Sequence, residues 1–277
     1  MRDLFFLTCG TFKAPALAVG PSRRVLPPTK TVDLSNTVAV IVRGAGDVVL
    51  VDVGWSAEVC ADPAGRLGRV RAFTLGVRAR AGDAIVDQLR LLGIDRYRVK
   101  TVVATHLHLD HVGGVVDFPD AELVCSDREL AAFRGFPRDP GYRTEDLARV
   151  GRIRTVRYDG GPTYGFRASH DLFGDGDVVL LDARGHTSGL AAVALRGAGA
   201  ERAYVHVGDA VYQSWEYGLA PRGPSALARI TAWKKDELAT TYASVRSCEA
   251  DPRRPIVVPS HDANVFARLP HAPRPLA

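Results

Sequence analysis

The 277-residue chain has only four cysteines, Cys9, Cys60, Cys125 and Cys248, and no two of them form a C-x-x-C pair. Spacing that wide indicates neither a zinc ribbon nor a disulfide framework, and the four read as buried thiols. No apolar run approaches the roughly 20 residues that cross a bilayer. The stretch from Thr37 to Val53 is interrupted by Gly44-Ala45-Gly46-Asp47. Met1 to Leu7 is too short an apolar segment for a secretory signal, so the expectation is a cytoplasmic protein with no membrane partner. Long polar tracts are also missing, which sets the disordered and fibrous classes aside. Charge of one sign is not concentrated anywhere: the 36 Lys+Arg against 31 Asp+Glu are mostly scattered arginines. Even the densest patch, Arg66, Arg69, Arg71, Arg78 and Arg80, is broken by glycines. That pattern is a solvated surface, and no nucleic-acid partner is expected.

What is present is enough apolar sequence for a sizeable core, arranged as short strands and helices. The β-branched runs Thr37 to Arg43 and Val48 to Val53 flank a glycine-containing turn and predict a hairpin. Asp83 to Leu92 places Ile85, Leu89 and Leu92 at helical spacing, with Gly93 as its stop. Thr101 to Ala104 and Ala121 to Cys125 read as strands, the second leading into a helix from Asp127 to about Phe133. The segment from Gly135 to Tyr164 is rich in Pro, Gly, Arg and Asp and reads as a connection or flap, with a weak helical signal near Thr144 to Val150. Strand signals resume at Val178 to Leu181, Ala191 to Leu195 and Ala203 to Val207. A helical region, Ser225 to Glu249, and a last strand, Pro255 to Pro259, precede a proline-rich tail from Pro270. Strands and helices in this order suit sheets inside and helices outside.

The chemistry is concentrated in Thr105-His106-Leu107-His108-Leu109-Asp110-His111-Val112-Gly113-Gly114. At the C-terminal end of a buried strand, side chains leave the sheet and converge on a crevice. His106 and His108, two apart, share a side, and Asp110 and His111 project from the turn that follows. Imidazole and carboxylate together suit zinc, and also manganese, iron or cobalt. A lone histidine at a strand end is more often a satisfied polar residue than a ligand. Here three further segments end later apolar strands in the same way: Arg184-Gly185-His186-Thr187, Val207-Gly208-Asp209-Ala210 and Pro259-Ser260-His261-Asp262.

Taken in order, these segments resemble the metallo-β-lactamase superfamily, from the early hairpin to His261. The resemblance implies an α/β fold, an αββα sandwich, with residues 1–277 as a single domain of two packed αβ halves and the metals between the sheets' edges. By the same resemblance His106, His108 and His186 hold a first metal, Asp110, His111 and His261 hold a second, and Asp209 bridges them. Two zinc ions are implied. Asp52, in Val51-Asp52-Val53-Gly54, resembles the aspartate that supports the ligands by accepting an imidazole N–H, with a turn-capping role as its alternative. Thr105 belongs with it. His170, His206 and His271 match no ligand position.

Within the superfamily the chain is most similar to the N-acyl-homoserine lactonases. Asp209-Ala210-Val211-Tyr212 resembles their D-A-x-Y element, whose tyrosine points at the substrate carbonyl. The ending Ser260-His261-Asp262 is similar too, as is Leu7-Thr8-Cys9-Gly10 followed by an irregular lead-in. Val115 stands where many lactonases carry asparagine. The resemblance implies a metal-dependent hydrolase that opens a lactone ring, most like an N-acyl-homoserine lactone, using a water activated between two metals. Asp110 and Tyr212 are its catalytic side chains and a small acyl compound its partner. Phe5, Phe6, Trp55, Trp215 and Tyr217 are candidates for an apolar acyl pocket, or for packing. The same metal residues would serve a thioester of the hydroxyacylglutathione type or a phosphoester equally, and these stay open, as do a nuclease and a single-iron dioxygenase of the same fold.

Overall fold

Valine at consecutive positions needs apolar surroundings on both faces of a strand, and Val48–Val51 meets them. Because strand side chains alternate, Val49 and Val51 enter a layer with Ile41, Val103, Val124, Leu180 and Val193. Val48 and Leu50 enter a second, with Val102, Leu123, Ile85 and Leu89. The computed structural model describes residues 3–20, 30–44, 46–135, 139–197, 201–218 and 223–272. Its strands are β1 (Asp3–Pro15), β2 (Thr31–Arg43), β3 (Asp47–Val51), β4 (Val77–Arg78), β5 (Val99–Val103), β6 (Glu122–Ser126), β7 (Arg152–Val156), β8 (Ser169–Asp171), β9 (Val178–Asp182), β10 (Ala191–Leu195), β11 (Tyr204–Gly208) and β12 (Ile256–Pro259).

They form two sheets, ordered β4-β1-β2-β3-β5-β6-β7 and β12-β11-β10-β9-β8. The layer around Val49 and Leu180 lies between the sheets. The helix Ile85–Leu91 packs on the outer face of the first sheet. Lys235–Glu249 packs on that of the second through Leu238, Tyr242 and Val245. This is the expected α/β sandwich of helix, sheet, sheet, helix. In the first sheet β3, β5, β6 and β7 run parallel, and in the second β11 and β12 do. The C-terminal ends of β3 and β5 lead into the segments bearing Asp52 and His106. Those of β9, β11 and β12 lead into His186, Asp209 and His261. No helix among the described residues is long and apolar enough to cross a membrane.

Elements with strong periodicity fall within a residue or two of their expected places. The hairpin pairs Arg43 with Asp47, although β2 begins at Thr31, because its polar start is paired along β1. The irregular lead-in is a correction: residues 3–15 form a strand whose register shifts between Thr8 and Thr11, so no regular alternation shows in the sequence. The segment from Gly135 to Tyr164 contains β7 as well as the short helix Thr144–Leu147, and the region after Ser225 is two helices, Ala226–Thr231 and Lys235–Glu249. Short helices at Ala57–Ala61, Pro63–Leu67 and Arg69–Thr74 have too few residues to show a period. Residues 21–29 of the lead-in, Ala45 of the hairpin turn, 136–138 of the connection and 273–277 of the tail lie outside the described residues.

One half-buried carboxylate gives the fold a pH dependence apart from the site. Asp117 Oδ2 accepts from the Ala57 amide at 2.8 Å, at the start of the helix Ala57–Ala61. Burial pushes its carboxyl up to about 6. Below about pH 4 the folded and unfolded chains are both protonated there. As pH rises toward 6 the unfolded chain ionises first, so stability falls and stays lower above that pH. Asp117→Asn keeps an acceptor without the charge. It is expected to stabilise the protein by about 1–2 kcal/mol near neutral pH and by almost nothing near pH 4. Urea unfolding at the two pH values checks this, and an equal effect at both contradicts it.

Candidate metal centre

Five of the seven residues expected as ligands sit on segments that leave strand ends, and the other two, Asp110 and His111, lie in the short helix Leu109–Val112 that follows β5. The chain must bend sharply there, and β11 does so at Gly208. Its φ is +54°, and a Cβ would lie 2.7 Å from the Thr105 hydroxyl, so only glycine lets Asp209 follow directly against the His106 segment. All seven side chains converge. Ligand atoms of His106, His108 and His186 lie within 4.8 Å of one another, as do those of Asp110, His111 and His261, and those of His106, His111 and Asp209. Asp209 stands between the groups, with Oδ1 2.8 Å from His261 Nε2 and 3.2 Å from His111 Nε2, and Oδ2 3.5 Å from His186 Nε2.

The outer edges of these rings are tied down. His261 Nδ1 donates to the Ser35 carbonyl at 2.6 Å, and His111 Nδ1 donates to Asp52 Oδ2 at 2.8 Å. Thr105 Oγ1 donates to the same carboxylate at 2.9 Å and accepts from His106 Nδ1 at 3.1 Å, so Asp52 orients two imidazoles, one through a hydroxyl. With the proton on Nδ1, each of the three rings turns a bare Nε2 lone pair inward. Asp52 adopts a φ of +57°, a conformation that aspartate tolerates better than most side chains. It therefore supports the imidazoles of the cluster, and the turn it occupies is how the support is built.

Those inward atoms are buried and unpaired. His106 Nε2, His111 Nε2, His261 Nε2 and Asp209 Oδ1 have no hydrogen-bond partner, and His108 Nδ1 faces His186 Nε2 at 3.1 Å. Leaving so many acceptors dry and unmatched is costly. A cation shared among them removes that cost, so the donor set fits a metal. Burial, with the neighbouring rings His111 and His108, pushes His106 well below the usual histidine range. Burial holds His186 down at about 3. Both rings are neutral and keep their lone pairs.

Tyr212 stacks on His261, with ring centroids 5.6 Å apart and planes 20° from parallel, and its hydroxyl lies 3.2 Å from Thr231 Oγ1. Burial, reinforced by Asp209, raises its phenol well above the ordinary value, so it stays a neutral donor. Beside it opens a cavity of about 670 Å³, lined by His108, Asp110, His186 and Asp209 and by apolar side chains. Of the expected pocket aromatics only Trp55 lines it. Phe5, Phe6 and Tyr217 are in the cores, and Trp215 is not a lining residue. Adjacent strand residues point to opposite faces, so Phe5 and Phe6 cannot share a pocket wall. Phe12, Leu75, Leu227, Ile230 and Trp233 take that place. Val115 is buried in the core, His170 pairs with Asp159 at 2.8 Å, and His206 Nε2 bonds the Thr37 carbonyl at 3.0 Å.

Two supports carried no readable signal. Glu129, fully buried, accepts from the Leu107 amide at 2.9 Å, Tyr142 Oη at 3.0 Å and Thr187 Oγ1 at 2.6 Å, joining three segments around the site. Glu216, also fully buried, accepts from the Tyr212 and Ser225 amides and from Tyr242 Oη, fixing the loop that presents Tyr212. Each lies in an ordinary-looking stretch, and only long-range contacts reveal it.

The comparisons agree with this geometry. The family model described as the metallo-beta-lactamase superfamily matches residues 32–261. A probable metallo-hydrolase of Mycobacterium tuberculosis is 31% identical over 232 residues, 79% of this chain and 72% of that protein. The N-acyl homoserine lactonase AttM of Azorhizobium caulinodans is 29% identical over 241 residues, 81% of each chain. A solved N-acyl homoserine lactone hydrolase, with N-hexanoyl-L-homoserine at its catalytic metal centre, superposes with a TM-score of 0.71 at 18% identity over 94% of this chain and 93% of that one. With the sandwich, the strand-end cluster of histidines and aspartates that could hold metal, and a family match across most of its length in agreement, the chain belongs to the metallo-β-lactamase superfamily and is one of its metal-dependent hydrolases.

Proposed function

We propose that the protein is a dinuclear lactonase acting on N-acyl-homoserine lactones. The observation that carries this reading is Tyr212, a neutral phenol beside the ligand cluster at the wall of a largely apolar cavity of about 670 Å³. Lactonase relatives support the substrate class. His106, His108 and His186 would hold one ion, Asp110, His111 and His261 the other, and Asp209 both, with zinc the metal the donor set suits best. Bound there, two cations supply Lewis-acid activation of a water and of the substrate carbonyl. Because the ligands come from both sheets, we read residues 1–277 as one domain of two halves.

The chain's own side chains do the rest. Phe12, Trp55, Leu75, Leu227, Ile230 and Trp233 cover the acyl chain and exclude water around it. Tyr212 gives up its contact with Thr231 and donates its O–H to the carbonyl oxygen as negative charge develops there. Asp110, partly exposed at the cavity wall, takes the proton of the attacking water. It returns that proton to the ring oxygen as the acyl C–O bond breaks. The product is the open-chain hydroxy acid, with one water added.

Tyr212→Phe tests this directly. It keeps the stacking on His261 and removes only the donor, so kcat on the best lactone is expected to fall by about 10²-fold or somewhat less, with metal content unchanged. A wild-type rate in the fully loaded variant contradicts the role. Assaying lactones, thioesters and phosphodiesters side by side tests the substrate class, and faster turnover of either alternative removes the lactonase reading while leaving the metal centre intact.

A further inference from the structure

Each imidazole of the cluster has an outer ring nitrogen, and three of these are already held, by Thr105, Asp52 and the Ser35 carbonyl. His108 turns Nδ1 toward His186, and its outer Nε2 has no hydrogen-bond partner although it is buried. The nearest carboxylate is Asp139, whose Oδ1 stands 3.6 Å away, just beyond hydrogen-bond reach.

The segment carrying Asp139 is built against this one histidine. The Leu109 amide donates to the Gly141 carbonyl at 2.8 Å, and the Tyr142 ring meets the His108 ring edge-on at 5.0 Å. A Cβ on Gly141 would fall 2.4 Å from His108 Cδ2, so glycine is what lets backbone lie flat on the imidazole. The segment is fastened at both sides. Arg71 Nη2 donates to the Pro140 and Tyr142 carbonyls at 2.6 and 3.0 Å, and Tyr142 Oη donates to the buried Glu129 at 3.0 Å. Asp139 Oδ1 also accepts from the Gly141 amide at 2.9 Å, which fixes the carboxylate's direction toward the ring.

We infer that residues 139–142 form a clamp for His108, with Asp139 as a positioning residue that accepts the Nε2–H and so leaves the Nδ1 lone pair for the metal. The inference rests on the metal-ligand reading of His108. On this reading the connection between the two halves places this ligand from outside the strand-end motif that carries it. A closing movement of a few tenths of an ångström completes the hydrogen bond, and outer-sphere partners of this kind typically carry 10- to 100-fold in metal affinity.

The test uses the full chain loaded with zinc or cobalt, with chelator competition for affinity and the visible spectrum of the cobalt form for ligand geometry. Asp139→Ala is expected to weaken one of the two metal equivalents by roughly 10- to 100-fold and to alter the cobalt spectrum. Asp139→Asn, which keeps an acceptor for both Nε2–H and the Gly141 amide, is expected to stay within about threefold of wild type on the same scale. The unfolding midpoint of the metal-free Asp139→Ala protein is expected to match wild type. Wild-type affinity and spectrum in Asp139→Ala overturn the proposal. So does a loss that Asn repeats in full, or one that appears only together with a lower metal-free midpoint. Wild type that binds no metal overturns the ligand reading itself, and this inference with it.

Discussion

Asp209→Ala is expected to lower hydrolysis by roughly 10³-fold or more, the several kcal/mol that Lewis-acid stabilisation supplies. The reason is its place in the cluster. One oxygen lies against His261 and His111 and the other faces His186, so a single carboxylate reaches both groups of proposed ligands. Its negative charge would also offset the approach of two cations. Alanine removes both contributions without touching the sandwich, because Gly208 and the β11–β12 pairing hold the backbone. The loss should therefore appear in kcat/KM and in metal retention while the metal-free fold persists. Steady-state kinetics under saturating metal, beside circular dichroism of the variant, check it. A rate within tenfold of wild type contradicts it.

Asp52→Ala is expected to be the most damaging change outside the ligand set. Three donors converge on this carboxylate, from the Thr105 amide at 2.8 Å, the Thr105 hydroxyl at 2.9 Å and His111 Nδ1 at 2.8 Å, and all are buried. Removing it strands them at a cost of about 3–5 kcal/mol, on the scale of breaking a buried charged network. Alanine must also take up the positive φ that aspartate accepts more easily. His106 and His111 lose their orientation together, so metal affinity should fall by roughly 10- to 100-fold as well. Chemical unfolding and a metal titration measure the two effects, and a stable variant with wild-type affinity contradicts the account. Asp52→Asn separates them: it retains the turn but must present an N–H to one of the three donors.

The site was more legible in the sequence than its surroundings. His106, His108, Asp110 and His111 share one short segment, and His186, Asp209 and His261 each follow an apolar strand, so local pattern marked them as candidates and the resemblance to the superfamily joined them into one set. Asp52 and Thr105, at the ends of β3 and β5, carried no such pattern and were marked only by the resemblance to the superfamily. Glu129, Glu216 and Asp139 were not. Their roles come from partners up to 58 residues away, such as Thr187 for Glu129, and no periodicity encodes such a contact. Of the two readings open for Phe5 and Phe6, packing is the outcome, because strand alternation sends them to opposite sides of the first sheet, while Phe12 lines the cavity because β1 continues, through a register shift, for 13 residues. Strand β1 has no alternation to read, since its pairing with β2 and β4 and not its composition makes it a strand.

The central claim is that these residues hold two metal ions and use Asp209 to hold both. Elemental analysis of metal-replete protein, wild type beside Asp209→Ala, measures it most directly. The account predicts close to two equivalents of transition metal per wild-type chain and at most about one in the variant, by the ligand count a two-metal site requires. A reproducible single equivalent in the wild type, bound just as well by Asp209→Ala, would contradict it.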